Sequence, residues 1–127
     1  MSISLIQSGT NRSTVTPNAT MVTLASPSTS GTTELSVWRT SMSAQSSGPV
    51  HRFDTEQVWT LLQGRAEITV DESPIAMGQG DTLTLAPNVT RRVQAVTDCL
   101  FVVCGKAETS VHVLGEETPR PTPEWIT

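Results

Sequence analysis

Apolar and polar residues alternate in short runs along almost the whole chain, and helical period is nearly absent. Alternation with a period of two is the mark of strands that bury one face. Nine segments carry strand character: ISLIQ (3–7), TMVTLA (20–25), ELSVWRTSM (34–42), QVWTLLQ (57–63), AEITV (66–70), DTLTLA (81–86), RRVQAV (91–96), CLFVVC (99–104) and SVHVL (110–114). The stretches between them include SPSTSGT, SAQSSGP, DESP, GQGD, APN and TD. Each is short and carries Gly, Pro, Ser, Asn or Asp, so each reads as a turn. In VDESPIAMGQGD, a turn at Asp71–Pro74 leads into a further short strand, PIAM, and Gly78 and Gly80 frame a sharp reversal. The pattern predicts an all-β sandwich or barrel.

A chain of 127 residues is long enough for one domain with a real core and too short for two. The expected division is N-terminal strands and a loop over 1–33, a barrel over 34–114, and an extended tail over 115–127. SPSTSGTT (26–33) has the composition of a mobile loop. GEETPRPTPEWIT carries prolines at 119, 121 and 123, which should hold it extended along the surface. Trp125 should anchor that tail on the body or on a second subunit.

Composition narrows the function classes. The net charge is −4, and seven Arg stand beside a single Lys, Lys106, so no basic stripe is expected for nucleic acid or an anionic membrane. No apolar run approaches the ~18 residues a membrane helix needs. The start, MSISLIQSGTNRS, has neither a basic nor a long apolar segment, so no signal peptide is expected and the expected location is cytoplasmic. Cys99 and Cys104 fall on opposite faces of one strand and match no zinc spacing, which makes them buried structural thiols. The sequons at Asn11, Asn18 and Asn88 carry little meaning without secretion.

Two motifs carry a family resemblance. GPVHRFDTEQVWTLLQG (48–64) resembles the first motif of the cupins, small double-stranded β-helix (jelly-roll) barrels. His51 falls at its first His, Phe53 at its second, and Gln57 at its Glu, with six residues between Gln57 and Gly64. GDTLTLAPNVTRRV (80–93) resembles the second motif, and Arg91 falls where the last ligand His stands. The resemblance implies an all-β cupin barrel, a small-molecule ligand and a homodimer, with ISLIQ or the Pro-rich tail crossing to the partner. It also places this chain among stand-alone bacterial cupins of metabolic or natural-product pathways. The metal that such barrels hold would here find only His51 and Gln57 as donors. Phe53 has none, and the guanidinium of Arg91 repels cations. The expectation is therefore no cofactor, with a divalent transition metal on His51 and Gln57 as the alternative. A one-residue slip would instead offer Glu56.

Strand parity then says which side chains share the cavity. His51 and Phe53 go together, as do Gln57, Trp59 and Leu61, and family geometry turns both sets inward. The expected pocket is His51, Phe53, Gln57, Trp59 and Arg91, with Leu61, Leu83 and Leu85 nearby. Phe53, Gln57, Trp59 and Leu61 would bind the ligand, while His51 and Arg91 would act on it. A desolvated His51 beside an Arg should be neutral at pH 7 and able to take a proton. Arg91, with Gln57, would stabilise developing oxyanion charge. Each has a plainer reading: His51 as a hydrogen-bonded core residue, Trp59 as filling, and Arg91 turned to solvent with Arg92 inside instead. Asp54 and Glu56 are expected to be solvated. Three functions remain open: a metal-independent acid–base enzyme (isomerase, cyclase or lyase), a ligand-binding or sensor module without chemistry, and a metal-dependent oxygenase or isomerase with a degenerate ligand set.

Overall fold

A computed structural model describes residues 3–127. In chain order its strands are β1 (Ser13–Val15), β2 (Thr20–Ala25), β3 (Leu35–Met42), β4 (His51–Phe53), β5 (Gln57–Gln63) and β6 (Ala66–Val70). There follow β7 (Ser73–Met77), β8 (Thr82–Leu85), β9 (Arg91–Ala95), β10 (Cys99–Lys106) and β11 (Val111–Val113). A short helix, α1 (Pro27–Ser30), lies between β2 and β3. The strands form two antiparallel sheets, one ordered β1-β2-β3-β10-β5-β8 and the other β11-β4-β9-β6-β7. The all-β jelly-roll expectation is met.

The alternation is what drives the two sheets together. β3 buries Ser36, Trp38, Thr40 and Met42, β10 buries Cys99, Phe101, Val103 and Gly105, and β5 buries Gln57, Trp59 and Leu61. From the facing sheet, Phe53, Ala66, Ile68, Val93 and Ala95 complete the core. Cys99 points in and Cys104 out, both as free thiols. Gly64 sits at φ +85° between β5 and β6, and a Cβ there would lie 2.1 Å from the Asp98 carbonyl oxygen, so only glycine fits. Asp71 and Glu72, both at positive φ, make the two-residue turn that joins β6 to β7, one residue pair tighter than the turn expected over 71–74.

Three expectations are corrected. Residues 3–7 form no strand: Ile3 and Leu5 are each 88% exposed, because alternation alone makes no strand without a neighbouring backbone to pair with. The N-terminal strand is instead Ser13–Val15, folded back on β2 by the bond from Thr16 N to the Ala19 carbonyl. Part of SPSTSGTT, expected as a mobile loop, is the short helix α1, which Ser26 caps, Pro27 opens and Gly31 closes in the left-handed region. β4 was too short, at three residues, to announce itself by alternation.

The Pro-rich tail lies on its own barrel. Arg120 and Val111 exchange backbone hydrogen bonds of 3.2 and 2.8 Å. Further on, Thr23 Oγ1 donates to the Trp125 carbonyl at 2.8 Å, Ser36 Oγ donates to the Ile126 carbonyl at 2.5 Å, and the Ile126 side chain is fully buried. Ile126→Ala should therefore cost about 2–4 kcal/mol. Urea unfolding checks this, and an unchanged midpoint would show that the tail does not pack.

Candidate functional site: an apolar cavity over a buried arginine

A cavity of about 700 Å³ opens between the sheets. All three tryptophans of the chain border it: Trp38 from β3, Trp59 from β5 and Trp125 from the tail. Met21, Met42, Val93 and Val111 add apolar wall, and the tail from Arg120 to Trp125 together with Thr16–Ala19 completes it. His51 and Phe53 bring β4 to its edge. Of the side chains expected in the pocket, His51, Phe53 and Trp59 line this cavity. Gln57, Leu61, Arg91, Leu83 and Leu85 do not.

Gln57 and Arg91 instead form a layer behind that wall. Arg91 is 1% exposed, whereas Arg92 faces solvent, which fixes the parity of β9. The Arg91 guanidinium donates to the Gln57 Oε1 at 3.1 Å and to the Val89 carbonyl at 2.8 Å. Its carbon lies 5.1 Å from the centre of the Phe53 ring, a cation–π contact. Gln57 Oε1 also accepts from Trp59 Nε1 at 3.1 Å, so one amide oxygen ties the cavity wall to the cation behind it. Space for that amide comes from Gly105, its register partner, where a Cβ would come within 3.1 Å of Gln57 Cγ. The Arg91 Nε has no partner. No carboxylate pairs with this cation; among the described residues the only ion pair is Arg120–Glu116. Burial lowers the Arg91 pKa to about 10, which leaves it charged at pH 7.

His51 pairs with Arg91 in register across β4 and β9 and sits edge-on to Phe53, with ring centres 5.5 Å apart. Its Nδ1 is 2.8 Å from the Pro49 carbonyl oxygen, which can only accept. The neutral ring therefore carries its proton on Nδ1, leaving the lone pair on Nε2. Burial, with a smaller contribution from the Arg91 charge, lowers its pKa to about 4. Two turns hold this arrangement. Asn88 N donates to the Phe53 carbonyl at 2.7 Å, so the APN turn grips β4. Asp54, although exposed, accepts from Thr109 Oγ1 at 3.0 Å and Ser110 N at 2.9 Å, which depresses its pKa and fastens the end of β4 to the start of β11. Glu56 is exposed, so the one-residue slip that would bring it inward does not occur.

The ligand set of a metal-binding cupin does not fit here. The Gln57 oxygen already accepts two hydrogen bonds, one of them from a cation, and Phe53 offers no donor atom. No group of three or more His, Cys, Asp or Glu side chains converges among the described residues. The wall residues that sequence reasoning missed, Trp38, Met21 and Met42, have the same inward parity as Trp59, but no motif marks their strands.

The depressed His51 pKa has a sign. Between pH 6.5 and about 4 the unfolded chain binds a proton that the folded chain refuses, so stability is full above 6.5 and falls as pH drops toward 4. About 2 kcal/mol should be lost through this group. Urea unfolding at pH 7 and pH 4.5 should show a smaller loss in His51→Gln than in the native protein, and equal losses would contradict the assignment.

No curated protein sequence matches the chain. Solved structures do match in fold. Salicylate 1,2-dioxygenase from Pseudaminobacter salicylatoxidans superposes with a TM-score of 0.73 at 16% identity over 83% of this chain, which spans only 33% of the dioxygenase. An RmlC-like cupin from Shewanella frigidimarina gives 0.71 at 16% identity, covering 83% of this chain and 91% of its own. KdgF from Halomonas sp. gives 0.72 at 16% identity, covering 83% and 94%. At such identities the likeness concerns the fold. The cupin domain family matches residues 38–113, from within β3 to the end of β11, and the chain belongs to that family.

Proposed function

We infer that this cupin binds a small, largely apolar molecule between its sheets and performs proton transfer on it through His51, without a resident metal. The observation that carries this reading is His51 lining a tryptophan-walled cavity with its Nδ1 held by the Pro49 carbonyl, which leaves Nε2 as the lone-pair nitrogen of the neutral ring. Such a cavity, mostly apolar with few polar groups, is the usual build of a small-molecule site. Phe53 and Trp59 offer ring surface to a flat or hydrophobic body. Gln57 acts from behind, holding Trp59 and Arg91 through one oxygen. Isomerisation, cyclisation or elimination would suit a single proton-transferring group.

One observation favours a second reading, a binding or sensor cupin without chemistry. An imidazole with a pKa of about 4 is a weaker base than a free one, and general bases work best near the operating pH. The two readings separate on one experiment. Molecules that co-purify with the protein would be released by denaturation, identified by mass spectrometry, and offered to native protein and His51→Ala. The enzyme reading expects conversion by the native protein, about 100-fold slower in the variant, with affinity nearly unchanged. Lost affinity in the variant, with no conversion by the native protein, would establish the binding module instead.

A further inference from the structure

Arg91 presents an unusual balance of charge. Its guanidinium is 1% exposed, its Nε has no partner, and its two acceptors, Gln57 Oε1 and the Val89 carbonyl, are both neutral. A buried cation is retained at a cost of several kcal/mol unless an anion answers it. The face of Phe53, at 5.1 Å, also softens this charge, and Phe53 is cavity wall as well, so the cation faces a ring that lines the cavity. Charges elsewhere around the cavity do not cancel it. Arg120 is paired with Glu116, and Glu124, on the tail, is exposed to water that screens it.

We propose that the cavity is built for an amphipathic monoanion, a carboxylate or enolate on an apolar body, with the buried Arg91 supplying the countercharge. This rests on the small-molecule reading of the cavity and names the class of molecule it takes. The body lies against the tryptophans, and the anionic group lies at the Phe53 and His51 end, where the field of Arg91 is strongest. Attraction across an apolar wall is poorly screened, so it selects anions even without direct contact. An anion at that end would also raise the pKa of His51 toward its ordinary range, where an imidazole exchanges protons at neutral pH.

The test uses two probes of one shape, 2-naphthoate and the uncharged 2-naphthamide, titrated calorimetrically into the full chain. The native protein should bind the naphthoate at least about tenfold more tightly, and Arg91→Gln should bring the two within about twofold. Equal affinities in the native protein, or a preference that survives Arg91→Gln, would overturn the proposal while leaving the cavity reading intact. Failure of both probes to bind the native protein would overturn the cavity reading and the proposal with it. Should Arg91→Gln not fold, thermal unfolding of the native protein supplies the answer. A larger rise in Tm with naphthoate than with naphthamide supports the anion site, and equal rises contradict it.

Discussion

The site depends on one shared oxygen. Gln57 Oε1 accepts from Trp59 and from Arg91 at once, each at 3.1 Å, and so couples a wall of the cavity to a cation that water does not reach. An amide suits this position, because it can accept twice without the full charge that would neutralise Arg91. A carboxylate there would pair the guanidinium and quench its field. Gly105 keeps the space open by leaving the facing position of β10 without a side chain. The resulting centre is positive, buried and rigid, three attributes also of a bound metal, but here they come from the covalent chain.

The second constraint is the closing of the cavity by segments distant in sequence. The bonds from Thr23 to the Trp125 carbonyl and from Ser36 to the Ile126 carbonyl span 102 and 90 residues. They bring Trp125 to the wall that Trp38 of β3 and Trp59 of β5 also line. Prolines at 121 and 123 stiffen the strip between the bridge at Val111–Arg120 and this anchor, so the cavity has a fixed boundary on its tail side. A stiff boundary favours a ligand of defined shape and limits the entropy lost when it binds.

What could be read from the sequence follows the same physics. Alternation located β2, β5 and β6 to the residue, because period two is written directly into which side chains must be apolar. It failed at ISLIQ, where the apolar residues are present but no partner strand is, and at β4, which spans three residues. Parity placed Gln57, Trp59 and Leu61 on the inner face of β5, and all three are buried there while Val58 and Thr60 between them are only half-buried. It could not choose between Arg91 and Arg92, since adjacent identical residues carry no phase. The pairing of β9 with β6, which buries Val93 and Ala95 beside Arg91, settles the choice in three dimensions. Neither parity nor motif could show that Arg91 lies behind Phe53 and not in the open cavity, because that depends on the packing of rings from β4 against a side chain from β9. The extended course of the tail and its anchor at Trp125 were legible from its prolines and lone aromatic, but its partners Thr23 and Ser36 were not, since they lie near the other end of the chain.

In the reading proposed above, a side-chain cation and not a metal supplies the positive charge of this barrel. Elemental analysis of protein purified without a His tag tests it most directly. The Gln57–Arg91 arrangement predicts transition metal well below one equivalent per chain, with the same trace content in His51→Ala. One full equivalent of iron, manganese or zinc, lost in that variant, would contradict it.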